Sequence, residues 1–448
     1  MDDIFAHIDA HADEYVIALQ DLARQPSVAA QDVGMAETAQ LVETMLRNVQ
    51  ADPRQYETRG GFPVVYGEIA GRTAKTLNFY NHYDVQPAEP LELWESDPWA
   101  AEIRDGRIWS RGVADNKGNI AARVAAVDAY QQVRGKLPLT VKFIIEGEEE
   151  IGSPNLEHFT ADHSDLCRAD ACIWEFGSTD LEGRPRVYLG LKGICYVELR
   201  ARGARIDQHS SIATSTPNPA WRLVWALASL KDQDERVLIS GFYDRVVAPT
   251  AAERAALECI PDDEAERLQH LGIPKFLGDL SGIKLHLRDY FQPTCTISGF
   301  LSGYTGKGSK TVLPSEAMAK VDMRLVANQD PHEIFGLLRR HLDDHGFADI
   351  DATLLGPEFP ARTSMDAPIA KVVIDTYREL YEVEPVVLPT SAGSGPWHEL
   401  CSKFGIDACT AGVGHARSQS HGPNENIYVA DFIRGIKHIC LIIERFAR

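Results

Sequence analysis

The sequence predicts a mixed α/β domain, with helices on the faces of its sheet, interrupted by an inserted α+β unit. Two observations predict it. Strand-like apolar runs alternate with helix-patterned stretches up to about residue 187 and again from about residue 357. Between them the pattern changes to longer strands and two amphipathic helices, which reads as two helices on one face of an antiparallel sheet. With 448 residues, 44% of them hydrophobic and 25% charged, the chain has the size and composition of a folded protein of two or three domains.

In order, helical patterning covers roughly residues 2 to 24 and 34 to 50, followed by β-rich runs at "PVVYGEI" and "TLNFYNHYD". "AAEIRDGRIWSR" reads as a hairpin, because an Asp-Gly pair favours a tight turn. "NKGNIAARVAAVDAYQQV" predicts a helix, and "LTVKFII" and "DACIWEF" predict buried strands. The inserted unit, residues 188 to 356, offers strands at "RVYLGLKGICYVELRARG", "EAMAKVDMRLVA" and "ADIDATLL" and helices at "NPAWRLVWALASL" and "PHEIFGLLRRHLDD", with a long insertion around 233 to 300. From 357 to 448 the first pattern returns: helix "IAKVVIDTYRELY", strand "PVVLP", short helix "PWHELCSKF", strand "DACTAGV" and a closing helix. The expected domains are therefore 1–187, 188–356 and 357–448, the first and last forming one sheet.

Composition narrows the function. The net charge of −20 and the lack of a Lys/Arg cluster argue against nucleic acid as a partner. Such acidity serves solubility, and a carboxylate-rich interior that holds cations also contributes to it. Eight cysteines at irregular spacings, without a CxxC pair, read as reduced residues of a cytoplasmic protein. The opening "MDDIFAHIDAHADEY" lacks the basic and apolar regions of a signal peptide, and no apolar run reaches the roughly 20 residues that span a bilayer, so no membrane partner is expected.

Sites in open α/β sheets form beyond the carboxyl ends of strands. There the sequence places His82 and Asp84 after one strand, Asp115 in the loop before a helix, Glu149 and Glu150 after a second strand, and Glu175 after a third. His421 follows in the polar loop "ARSQSHGPNEN". Each has a plain structural reading: His82 as a satisfied buried histidine, Asp84 as a turn residue, Asp115 as a helix cap, Glu148 to Glu150 as a solvated tip. Together they are the imidazole and carboxylate set that divalent cations take as ligands.

"NHYDVQP", "WSRGVADNKG", "EGEEEIGS" and "SQSHGPNEN" together resemble the M20 metallopeptidases, a group of carnosinase-like dipeptidases, aminoacylases, desuccinylases and glutamate carboxypeptidases. The likeness runs from about residue 75 to the carboxyl terminus and implies a catalytic domain split by a dimerisation (lid) domain. It implies two divalent cations per subunit, zinc first with manganese or cobalt as alternatives, held by His82, Asp115 as the bridging carboxylate, Glu150, Glu175 and His421. Asp84 would orient His82, the bond from Asp115 to Asn116 would be cis, and Glu149 would be the general base, with Glu146 and Glu148 left without chemistry. His209, in "DQHSSIA", would reach a neighbouring subunit's site, hence a homodimer. Thr311, Arg324 and Ser394 would hold substrate. The reaction implied is amide hydrolysis of dipeptides or small peptides. Glu175 departs from the dipeptidase branch, which tends to carry Asp there, and keeps action on N-acyl amino acids as the alternative.

Two rival motifs fail on spacing. In "SGYTGKGSKT", Ser309 separates Gly308 from Lys310, so the phosphate-binding G-x-x-x-x-G-K-[ST] is not met. In "HELCSK", Ser402 stands where a zinc-binding H-E-x-x-H helix needs its second histidine, which leaves His398 a structural reading.

Overall fold

The structure is a computed structural model that describes residues 1–448. The chain forms two compact units: Met1–Gly190 with Arg362–Thr390 and Gly395–Arg448, and Leu191–Ala361 with Ser391–Ser394.

The first unit is built on a six-stranded mixed sheet in the order Arg54–Tyr56, Val64–Ile69, Thr140–Glu146, Thr76–His82, Ala171–Trp174, Ala408–Thr410. The first three strands pair antiparallel, and the remaining pairs are parallel. Thr140–Glu146 is buried along its whole length, as befits a strand with neighbours on both sides, and its one cation, Lys142, donates to the carbonyls of Leu166 and Arg168. Helix Val429–Phe446 packs on both Gly118–Arg134 and Pro368–Tyr381, and Met35–Asn48 packs on Val64–Ile69. Their apolar faces, among them Ala126, Val373, Ile439 and Leu46, join Phe79, Val141 and Ile173 of the strands in one core. The hairpin turns at Asp105 and Gly106, with φ of 51° and 72°, the doubly left-handed geometry that an Asp-Gly pair supplies. His82 and Glu146 are register partners in parallel strands, so the residues that follow each strand emerge at one end of the sheet.

The second unit holds a four-stranded antiparallel sheet in the order Thr296–Ser302, Glu316–Leu325, Gly193–Arg202, Asp351–Glu358. Burial alternates along its two central strands, and the inward residues, such as Val197, Leu199, Val321 and Met323, meet Leu223 and Leu338 of helices Pro219–Leu230 and Pro331–Asp344. Both helices start on a capping side chain, Asn218 or Asp330, with proline following. The stretch read only as an insertion is structured: it contains helices Ala251–Glu258, Glu264–Leu271 and Gly282–Phe291. It also supplies the edge strand Thr296–Ser302, whose largely exposed sequence and register shift between Ile297 and Gly299 leave no alternating pattern to read. No helix is long and apolar enough to cross a membrane.

Candidate metal centre

Strand Thr76–His82 ends on His82, which is buried to 1% exposure of its side chain. Its Nδ1 lies 3.0 Å from the Asp84 backbone carbonyl and 3.3 Å from Asp84 Oδ1. Both neighbours are acceptors, so in the neutral ring the proton belongs on Nδ1 and the Nε2 lone pair faces the site. The Asp84 carboxylate does more than orient this ring. It accepts the backbone N–H of Glu149 at 3.2 Å and of Glu150 at 2.9 Å, tying the His82 strand end to the turn that carries both glutamates.

Asp115 stands between two groups of ligating atoms. On one side, His82 Nε2 lies 3.1 Å from Asp115 Oδ1 and 3.4 Å from Glu175 Oε2. On the other, His421 Nε2 lies 3.2 Å from Asp115 Oδ2 and 3.2 Å from Glu150 Oε2. His82, Asp115 and Glu150 also present one ligand atom each within 4.8 Å of one another. The bond between Asp115 and Asn116 is cis. Two carboxylate oxygens in the cluster, Glu150 Oε1 and Glu175 Oε2, are buried without a hydrogen-bond partner. Buried carboxylate oxygens lacking donors are costly, and a cation at each side of Asp115 would satisfy them.

The electrostatics agree with that fit. Burial pushes the Glu149 carboxyl well above the usual range, and the charges of Glu175, Glu150 and Asp115 add to it while His82 opposes them. Glu175 is pushed up to about 7, by burial first and then by Asp115 and Glu150, against the pull of His82. Burial lowers His82, yet its contacts with Asp115 and Asp84 and the charges of Glu175 and Glu149 hold it well above an ordinary histidine. His421 is raised to about 10 by its contacts with Asp115 and Glu150. Asp115 is held below its usual value: burial raises it, but the two imidazoles outweigh burial. A cluster with this surplus of negative charge recruits positive charge, and hard or borderline cations fit its oxygen and imidazole donors.

Of the other expected site residues, His209, Thr311, Arg324 and Ser394 belong to the second unit. His209 is exposed, and its Nδ1 accepts the Ser211 N–H at 3.1 Å, which puts the ring proton on Nε2 and makes that atom a donor. Arg324 Nη1 donates to Ser394 Oγ at 2.8 Å, and its Nε lies 3.2 Å from Asp322 Oδ1. Thr311 is exposed, and its carbonyl accepts the Ser210 N–H at 3.3 Å.

Glu146 and Glu148 turn to other partners: Glu146 accepts from Tyr80 and Ser153, Glu148 from Asn155. Several supporting residues went unread in the sequence. Gln86 donates to Glu150 Oε2 at 2.8 Å. Buried Arg123 donates to the carbonyls of Tyr80 and Trp174 and, at 2.6 Å, to Asn81 Oδ1. Asn81 in turn bonds Asn116, whose Nδ2 donates to the Glu175 carbonyl at 3.0 Å. Arg111 and Glu425 pair at 2.7 Å between the loops of Asp115 and His421. Asn81, Gln86, Arg111, Asn116 and Glu425 all lie inside the quoted motifs, which is the one signal that could have marked them.

Residues 78–445 match Peptidase family M20/M25/M40. The chain is 30% identical over 364 residues to a human Beta-Ala-His dipeptidase, covering 77% of this chain and 71% of that one. It is 26% identical over 360 residues to the Cys-Gly metallodipeptidase of Schizosaccharomyces pombe, covering 76% and 75% of the two chains. A crystal structure of an M20 family metallo-carboxypeptidase from Sulfolobus solfataricus superposes with a TM-score of 0.92 at 39% identity, over 97% of this chain and 99% of that one. The sequence match over most of its length and the fold agree: this chain belongs to Peptidase family M20/M25/M40 and is a metallopeptidase.

Proposed function

We propose that the protein hydrolyses the amide bond of dipeptides and other small peptides, using two divalent cations held on either side of Asp115. The observation that carries this reading is the division of the ligating atoms into two groups, His82 with Glu175 and His421 with Glu150, each against a different oxygen of Asp115. Zinc suits this donor set, and manganese and cobalt accept the same ligands. Bound there, the cations would supply Lewis acidity to the scissile carbonyl and lower the pKa of a water towards neutrality.

The chain's own groups do the rest. Glu149 takes the proton of the attacking water and passes it to the departing amine. Asp84 keeps His82 in the tautomer that faces the site and holds Glu149 by its backbone. His209, with its Nε2 proton free to donate, stabilises the developing oxyanion in the site of a partner subunit, which makes the working form a homodimer. Arg324 grips the terminal carboxylate of the substrate with Ser394 and Thr311 beside it, in keeping with the planar fork of a guanidinium. A cytoplasmic location belongs to the same reading and fits eight cysteines that are all unpaired.

The relatives' names divide between dipeptidases and a carboxypeptidase, and Glu175 favours a second reading: cleavage of N-acyl amino acids, or carboxypeptidase action, by the same groups. The test is hydrolysis of free dipeptides beside N-acetyl, N-succinyl and N-carbamoyl amino acids by zinc- or manganese-loaded protein, with a chelated control. Chelator-sensitive cleavage of the dipeptides supports the first reading. Cleavage of the acylated compounds alone replaces it with the second.

A further inference from the structure

We propose that Glu425 and Arg111 form a positioning clasp that sets Asp115 and His421 in their mutual geometry before any cation is bound; this rests on the reading of those two residues as metal ligands. Glu425 is fully buried, and both its oxygens are used twice. Oε2 accepts from Arg111 Nη1 at 2.7 Å and from the Gly112 N–H at 2.8 Å. Oε1 accepts from the Ala114 N–H at 2.8 Å and the Asp115 N–H at 3.0 Å. One carboxylate thus collects three backbone donors of the loop that ends on Asp115, and all four partners are donors that only an ionised acceptor satisfies together.

Arg111 faces the other loop. Its Nη2 donates to the carbonyl of His421 at 3.3 Å and of Gly422 at 3.0 Å. His421 has φ of 66°, a left-handed conformation that a non-glycine residue keeps only where its surroundings hold it. Both members are anchored nearby: the Glu425 carbonyl accepts the Ser110 N–H at 3.1 Å, and strand Asn426–Tyr428 pairs antiparallel with Arg107–Trp109. Two loops more than 300 positions apart in the chain are thus joined by the Arg111–Glu425 ion pair and the backbone bonds its two side chains make, and each carries one of the side chains that face each other across 3.2 Å. A buried ion pair is weak evidence for stability, but this one touches the backbone at both expected ligands, so its consequence is geometric.

Glu425→Gln tests the clasp, because an amide offers one acceptor oxygen and turns its NH2 towards N–H groups. Metal-stripped wild type and variant are titrated with zinc, and the cobalt(II)-loaded forms are compared by absorption spectrum. The clasp predicts a 10- to 100-fold weaker affinity, on the order expected when a group supporting a ligand is lost, and an altered cobalt spectrum. Arg111→Lys keeps the charge but cannot span both loops, and it predicts a loss of the same order. Affinity and spectrum unchanged in either folded variant overturn the clasp. Failure of wild type itself to bind zinc overturns instead the assignment of Asp115 and His421 as ligands.

Hydrogen exchange on the unsubstituted protein gives an answer that does not depend on the variants folding. Amides of Gly112, Ala114 and Asp115 are expected to be protected alike in stripped and loaded protein. Protection that arises only on loading would show the loop to be ordered by the metal and would overturn the proposal.

Discussion

Replacing Asp84 with Asn removes a charge and one acceptor while leaving the shape of the side chain. Asp84 is fully buried, and its two oxygens face the Glu149 and Glu150 N–H groups at 3.2 and 2.9 Å and His82 Nδ1 at 3.3 Å. Asparagine keeps one acceptor oxygen, so one amide loses its charge-assisted bond and meets an NH2 group instead. A hydrogen bond to a charged partner contributes about 1.5–3 kcal/mol, and a buried donor left unpaired costs a further 1–3 kcal/mol. Part of that cost falls on the geometry of the turn and on His82, whose remaining acceptor is the Asp84 carbonyl at 3.0 Å. Loss of a group that orients a metal-binding histidine typically weakens binding 10- to 100-fold, or about 1.4–2.8 kcal/mol. The assay is zinc affinity of stripped protein by competition with a chelator, together with kcat/KM on a cleaved dipeptide. Wild-type affinity and wild-type kcat/KM in a folded Asp84→Asn protein would refute the role assigned to this carboxylate.

Three further outcomes are expected. Glu150→Gln should lower bound metal below two equivalents by elemental analysis, because Glu150 Oε2 faces His421 and its Oε1 has no protein partner. Arg123→Met should destabilise the first unit by at least about 3 kcal/mol in urea unfolding, since three buried acceptors lose their donor at roughly 1–3 kcal/mol each. His438 is buried against Thr376 and stacked on Tyr377, and burial lowers its pKa to about 3. An unfolded histidine titrates near 6.5, so between pH 6.5 and 3 the unfolded chain binds the extra proton, and the stability that neutral His438 gives above pH 6.5 is lost as pH falls. His438→Phe should therefore change in stability less than wild type over that range, measured by thermal unfolding against pH.

The residues that gather at the candidate site were easier to read from the sequence than those that hold them in place. His82, Glu149, Glu150 and Glu175 stand next to buried strands whose apolar runs are legible, so their common end of the sheet follows from the parallel pairing. The Asp105-Gly106 turn and the helix caps at Asn218 and Asp330 are local chemistry, and local chemistry can be read. Thr296–Ser302 could not be read, because an exposed edge strand with a register shift has no periodicity, and the helices between 251 and 291 are too short to declare one. Arg123 was hidden for a different reason: an arginine on an alanine-rich helix looks like a solvated charge, and only the assembled sheet shows the Tyr80 and Trp174 carbonyls at its tip. The same holds for Glu425, whose partners lie more than 300 residues away.

Turnover and metal content measured on one preparation of Glu149→Gln bear most directly on the central claim. Glu149 is assigned to move protons and not to hold a cation, so the variant should retain two zinc or manganese ions per subunit and wild-type folding while losing about 10²- to 10⁴-fold in kcat on a dipeptide. Near-normal turnover would contradict the assignment of the base, and loss of metal would make Glu149 a ligand and shift the roles within "EGEEEIGS" by one residue.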